Sequence, residues 1–288
     1  MSTVAEPGQA TLAHDVCALP LVRRLAAMLD RDPDVLREGD ALPRGWHTSF
    51  FNVPTRQSQL RADGAAGLGV TLPDIGLPRL MLAGRQNQFA ADLPIGAALR
   101  RETQQGEVQI KQGRSGRFAL IKVEHRIFVQ GAADAAVIEH LDYVLREAGH
   151  TFASSAAPST ATPAAAPAVA AAELAASDAS RSLMPDERLL FRYSAITDNP
   201  HRIHYDQSYA TGSEGYPALV VNGSIPAMFL LDMFRACARR EPVTFQSRNI
   251  TPMFCGHALQ LHVRLEDAVW RLWALNDQGQ LTFDARAA

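Results

Sequence analysis

The chain has 288 residues, with 28 lysines and arginines against 30 aspartates and glutamates, a net charge of −2. That balance excludes a global basic field for nucleic acid, so any phosphate site has to be local. The length allows two domains of ordinary size. The three cysteines, Cys17, Cys237 and Cys255, have neither metal-ligand spacing nor a disulfide framework, which is the usage of a reducing compartment.

Residues 1–18 read as a flexible N-terminus with no apolar leader core, and Glu6 and Asp15 speak against a transit peptide. No apolar run approaches the length of a membrane span. A soluble, cytoplasmic protein is the expectation. Residues 19–29 have the spacing of an amphipathic helix, with Leu21, Leu25 and Met28 opposite Arg23 and Arg24. A polar, proline-containing connection follows, then an aromatic-rich piece from Trp46 and a glycine-rich polar loop over residues 57–69. From Arg79 the texture is β. Leu93-Pro94-Ile95-Gly96 is a bend before a strand at 98–102, a second strand starts at 108–110, and 113–116 is a turn. Residues 118–129 alternate as a long strand. Residues 136–145 fit either a last strand or a short helix.

Residues 151–182 read as a linker. Fourteen of the residues from Ala153 to Ala179 are alanine, and Pro158, Pro163 and Pro167 rule out one continuous helix there. The same alanines inflate the 47% hydrophobic fraction, so the core is smaller than that figure suggests. Pro185 is expected as the first residue of the next helix, with Asp186 and Glu187 at its positive end. Asn222-Gly223-Ser224 opens the strongest helix of the chain, over residues 225–239, whose middle is apolar on nearly every side and therefore buried. Strands are expected over 244–250, 258–265, 269–275 and 281–285, with Asn276-Asp277-Gln278-Gly279 as the last hairpin turn. A buried helix under antiparallel strands is one α+β unit. Residues 93–99 resemble residues 253–259 at an offset of 160, a bend with glycine before a strand in each, so two copies of the unit are expected.

The chemistry gathers at residues 191–206. Leu189, Leu190, Tyr193 and Ile196 give a short helix one apolar face. Asp198-Asn199-Pro200 stops it, because a residue before proline is driven out of the α region. The loop beyond carries His201 and His204. A loop held at a helix end can aim Asn199 and His204 at one ligand.

From Thr197 to Asp206 the chain reads Thr-x-Asn-x-His-Arg-Ile-His-Tyr-Asp. This resembles the MaoC-like hydratases of hot-dog fold, in the branch of type 2 3-hydroxyacyl-thioester dehydratases and the itaconyl-CoA and mesaconyl-C4-CoA hydratases. The resemblance is specific at this stretch and weaker but continuous from about residue 42 onward. It implies a double hot-dog, two antiparallel sheets each wrapping a central helix, with the N-terminal helix short or absent. A non-catalytic N-terminal hot-dog would occupy residues 19–150 and a catalytic one residues 183–288. It implies a hydratase or dehydratase acting on an α,β-unsaturated acyl-CoA, with a short dicarboxylic acyl group favoured over a fatty one. Coenzyme A would enter only as part of the substrate, with no metal or other cofactor, and the protein would be a monomer or a homodimer.

On this pattern the family's catalytic histidine falls on His204. The catalytic aspartate of the wider family falls on Asn199, which cannot titrate but can hold a water molecule. Gly223, at the start of the buried helix, is the expected oxyanion donor. The relatives carry His-Gly where this chain has Asn222-Gly223. His201, Arg202, Asn222 and Arg248 are the expected substrate-binding residues, an arginine pairing with a carboxylate or a phosphate. Asp206 fits a loop cap better than a partner for His204. A hot-dog thioesterase would place an acid on the buried helix, where only Asp232 is available, and a non-catalytic acyl-CoA-binding module would explain the asparagines at 199 and 222.

Overall fold

The computed structural model describes residues 4–5, 10–66, 75–77, 79–113, 116–147 and 177–288. The first half comprises β1 (Val4–Ala5), β2 (Thr11–Val16), α1 (Leu19–Met28), β3 (Arg79–Phe89), β4 (Ala98–Gly113), β5 (Gly116–Val129) and β6 (Val137–Arg146). The second comprises β7 (Ala179–Leu183), α2 (Glu187–Ile196), α3 (Ser224–Ala238), β8 (Thr244–Asn249), β9 (Leu259–Glu266), β10 (Val269–Leu275) and β11 (Leu281–Ala287). The described strands form one antiparallel sheet in the order β1-β4-β5-β6-β3-β8-β11-β10-β9-β7, with β2 also pairing β4. This is the double hot-dog, joined edge to edge through β3 and β8.

The two halves repeat in detail. Leu42 N donates to Leu93 O and Val221 N to Met253 O; Ile95 N donates to Asp40 O and Cys255 N to Leu219 O. Gly96 N donates to Cys17 O and Gly256 N to Pro185 O, both glycines at positive φ. At the seam Gln86 pairs with Gln246. Those numbers differ by 160, the offset of the sequence repeat, so a pseudo-twofold axis passes through that pair.

The halves part company after this shared ladder. In the second, Asn222-Gly223 leads into α3, which buries Ile225, Met228, Phe229, Leu231 and Phe234 and ends at Arg239 in the left-handed conformation. In the first, the matching place holds a 3₁₀ turn, Trp46–Ser49, and among the described residues no long helix follows it before β3. The expected shortening of the N-terminal helix is therefore a replacement by one turn. Gly45 precedes that turn at φ +98°, and a Cβ there would lie 2.4 Å from Leu231 Cδ1 of α3. Only glycine fits, by both conformation and space.

Several sequence expectations are corrected. Within the N-terminus expected to be flexible, residues 11–16 form β2, because their backbone completes the edge of β4 from Ala98 to Thr103. Strands expected at 98–102 and from 108 are one strand, β4. The polar Gln104-Gln105-Gly106 stretch that separates them in sequence is a register shift between Gln105 and Val108, which pairing with β5 tolerates. The choice left open at residues 136–145 falls to strand, β6 from Val137, paired on both sides. Most of the linker lies outside the described residues, but residues 179–182 at its expected end belong to β7, paired with β9. Pro185 lies before α2, whose N-cap is Asp186, its carboxylate accepting from Leu189 N at 2.9 Å.

Candidate active site

α2 ends where the sequence requires it to. Thr197 Oγ1 donates to Tyr193 O at 2.8 Å, Asp198 turns to φ +44°, and Asn199 N donates to Ser194 O. Asn199 Oδ1 then accepts from His201 N at 3.1 Å. This Asx turn swings the chain so that Ile203 and His204 point inward and Tyr205 outward.

His204 is 8% exposed, and its Nδ1–H donates to the Val220 carbonyl at 2.7 Å. A carbonyl can only accept, so the bond fixes the tautomer and leaves Nε2 as the acceptor. Burial pushes the imidazole down to about 4; the Val220 bond opposes that shift and His201 adds to it. The ring is thus neutral, and able to accept a proton, throughout the physiological range. His201 stands edge-on to it at 5.4 Å between ring centroids and is likewise pushed down by burial.

Two residues past Val220 comes Asn222, 4% exposed, with both amide atoms buried and no hydrogen-bond partner among the described residues. An amide in that state costs about 1–3 kcal/mol unless something binds it. Gly223 follows at the N-terminus of α3, where the first N–H groups have no intrahelical partner and the helix dipole favours negative charge. Its φ of −60° needs no glycine. The reason is space, since a Cβ would lie 2.7 Å from Asn249 Oδ1. From Gly223 a cavity runs between α3 and the β3–β8 seam, lined by Met228 and Leu231 on one side and by Arg85, Asn87, Ser247 and Asn249 on the other.

The Val220 carbonyl ties His204 to the segment that leads into Asn222 and Gly223; of these three, Gly223 lines the cavity. Asn199 and His201 share the loop that presents His204. Arg202 does not reach the cavity. Its guanidinium pairs with Asp206 at 2.9 Å, lies 4.0 Å over the Tyr209 ring and reaches toward Ala62 O, while its backbone N donates to Asp63 O. It bolts the loop to the first half. Asp206 also accepts from Tyr209 N, so it caps the following turn and does not touch His204. Arg248 is on the outer face of β8, opposite in phase to the inward Phe245 and Ser247, and so faces away from the cavity. Asp232 pairs with Arg235 at 2.8 Å and Arg31 at 3.4 Å and is not among the residues that line the cavity. Val220 and Arg85 were missed from sequence. Val220 acts through its backbone and leaves no side-chain signal. Arg85 had one, since Phe89 fixes the inner face of β3 and counting back by twos puts Asn87 and Arg85 on it.

Fold and site together define a double hot-dog with a neutral buried histidine beside a helix N-terminus. A sequence model of the type 2 hydroxyacyl-thioester dehydratases matches residues 45–255, and the chain belongs to that family. It is 38% identical over 240 residues to the mesaconyl-C(4)-CoA hydratase of Chloroflexus aurantiacus, covering 83% of this chain and 80% of that one. Among solved structures, HtdX of Mycobacterium tuberculosis superposes with a TM-score of 0.64 at 16% identity, over 96% of this chain and 98% of that one. A second protein of M. tuberculosis, described as having a double hotdog fold, superposes with a TM-score of 0.58 at 12% identity, over 98% and 95%. No helix among the described residues is long and apolar enough to cross a membrane.

Proposed function

We propose that the protein is a hydro-lyase that reversibly adds water to an α,β-unsaturated acyl-CoA, with a short dicarboxylic acyl group of the mesaconyl-C4 or itaconyl kind as substrate. The observation that carries the reading is His204, held neutral with Nε2 as its acceptor and bonded through Nδ1–H to Val220, three residues before Gly223. The thioester carbonyl sits at Gly223 and the β carbon near His204. Nε2 takes a proton from water as the water oxygen bonds to the β carbon. The π electrons move onto the thioester oxygen, where the Gly223 N–H and the α3 dipole stabilise the enolate. The electrons return as the α carbon takes a proton, which His204 gives back. One base thus serves both transfers.

Asn199 and Asn222 hold water and substrate. Asn199 has committed its Oδ1 to His201 N and keeps its NH₂ for the attacking water. Asn222 has both amide atoms uncommitted. Coenzyme A enters only as part of the substrate, and each half of the chain supplies one wall of the site. The buried thiols of Cys17 and Cys255, pushed up by burial to about 12 and about 11, suit the cytoplasm and take no part. The test is the enoyl absorbance of mesaconyl-C4-CoA or crotonyl-CoA on addition of the protein. Its loss without release of free thiol is the expected result. Free thiol would mean a thioesterase, and no change would mean a binding module.

A further inference from the structure

The inner face of the first sheet has a polar row where the second has one that is apolar except for Ser247. Across β3, β6, β5 and β4 the directly paired residues are Asn87, Glu139, His125 and Thr103. The pseudo-twofold carries them onto Ser247, Ala285, Leu272 and Val263, which α3 covers. Among the described residues no helix like α3 follows the turn at Trp46–Ser49 in the first half. The polar row is instead closed by His47, whose Nε2 lies 3.5 Å from Glu139 Oε1. Arg85 stands at the position equivalent to Phe245 and pairs with Glu139 at 3.3 Å. Burial alone would raise the Glu139 carboxyl, but Arg85 and then His47 hold it well below the usual carboxylate range. Glu139 is therefore an anion fixing Arg85. Of the two, Arg85 lines the cavity that begins at Gly223 and Glu139 does not. Two further lining atoms, Asn87 Oδ1 and Asn249 Oδ1, are buried without hydrogen-bond partners among the described residues.

We propose that Arg85, held by Glu139, binds the free carboxylate of a dicarboxylic acyl thioester whose carbonyl lies at Gly223. The inference deepens the hydratase reading and rests on it. A guanidinium with one N–H pair engaged still offers a fork to a second carboxylate. In a mesaconyl-C4 thioester that carboxylate sits on the carbon that receives water. Its charge repels the incoming oxygen, and pairing with Arg85 removes the repulsion, so Arg85 serves both selection and rate. A fatty acyl chain would strip water from Arg85 and give nothing back.

The test uses the full chain with mesaconyl-C4-CoA and crotonyl-CoA, which lacks the carboxylate. Removing Arg85 alone would strand Glu139, so the main variant is Arg85→Gln with Glu139→Gln; Arg85→Lys keeps the charge without the fork. The readouts are the ratio of kcat/KM for the two thioesters and calorimetric binding of each in a His204→Ala background. The preference for mesaconyl-C4-CoA should fall about a hundredfold in the double variant and less in Arg85→Lys, and its binding should weaken about tenfold or more relative to crotonyl-CoA. Equal losses on both thioesters, no loss on either, or no binding of either would overturn the subsite. A parent chain that hydrates crotonyl-CoA with no preference for mesaconyl-C4-CoA also overturns it, while the hydratase reading stands. A parent that hydrates neither overturns the hydratase reading, and the binding ratio then decides the subsite separately.

Discussion

At the scale of single residues, His204 and Asn199 are each set by one short hydrogen bond while the Asn222 amide has none among the described residues, and each makes a separate expectation. His204→Ala should lower turnover by about 10²–10⁴-fold and leave thioester binding in place, since the ring acts on water; calorimetry beside the absorbance assay checks both halves. With His204 near 4, kcat/KM should stay flat from neutral pH down to about 5, where an ordinary histidine near 6.5 would already have cut it. Asn199→Asp keeps the acceptor for His201 N and adds a charge that raises the imidazole. The acid limb of the variant's pH profile should therefore move upward. Asn222→Leu fills a similar volume without a buried unpartnered amide. It should raise the melting temperature while costing roughly 10²-fold in rate, and a loss of both stability and activity would mean that Asn222 is only structural. The motif singles out His204, Asn199 and Gly223 as candidates, because the proposed chemistry calls for those residue types at that spacing. It did not show what holds His204, because the holder is a main-chain carbonyl, and it overvalued Arg202 and Arg248, whose surroundings depend on strand phase and on the loop at residues 61–65.

At the scale of elements, pattern outperformed boundary. The helix from Asn222-Gly223 and the β9, β10 and β11 strands follow from periodicity, and they appear within a residue or two of where it puts them. The misreadings share one cause. β2 and the middle of β4 are strands because a neighbouring strand offers hydrogen bonds, and local composition carries no record of a partner elsewhere in the chain. The turn at Trp46 is the same lesson in reverse. Trp46 is fully buried, yet nothing near it spells a helix, and the element that replaces one is defined by Gly45 meeting Leu231. Gly45→Ala should cost about 1–3 kcal/mol of stability by denaturant melt, from a strained φ and a Cβ inside van der Waals contact. It should also disturb the cavity, which Gly45 and Leu231 both line.

At the scale of the whole molecule, stability should depend on two buried histidines in opposite halves. His125, beside Thr103, is pushed down to about 4 by burial, with Glu139 opposing, and His204 is at a similar value. Both are neutral when folded and bind protons near 6.5 when unfolded. The folded state therefore loses stability as pH falls from about 6.5 toward about 4, by about 1.4 kcal/mol per pH unit for each histidine. Above 6.5 neither contributes a slope. Chemical denaturation across that window should show the loss, and His125→Asn should reduce its steepness.

The axis through Gln86 and Gln246 has a consequence for how such a protein can change. In a homodimer of single hot-dogs every substitution is made twice, once on each side of the axis. No such dimer can keep a helix over one sheet and an arginine in a hollow over the other, because both would have to be written in the same letters. Joining the two units in one chain frees each position from its mirror image. Phe245 can stay a packing residue while its counterpart, Arg85, addresses the substrate, and a new acyl preference can be tried in the first half without disturbing the helix that carries the chemistry.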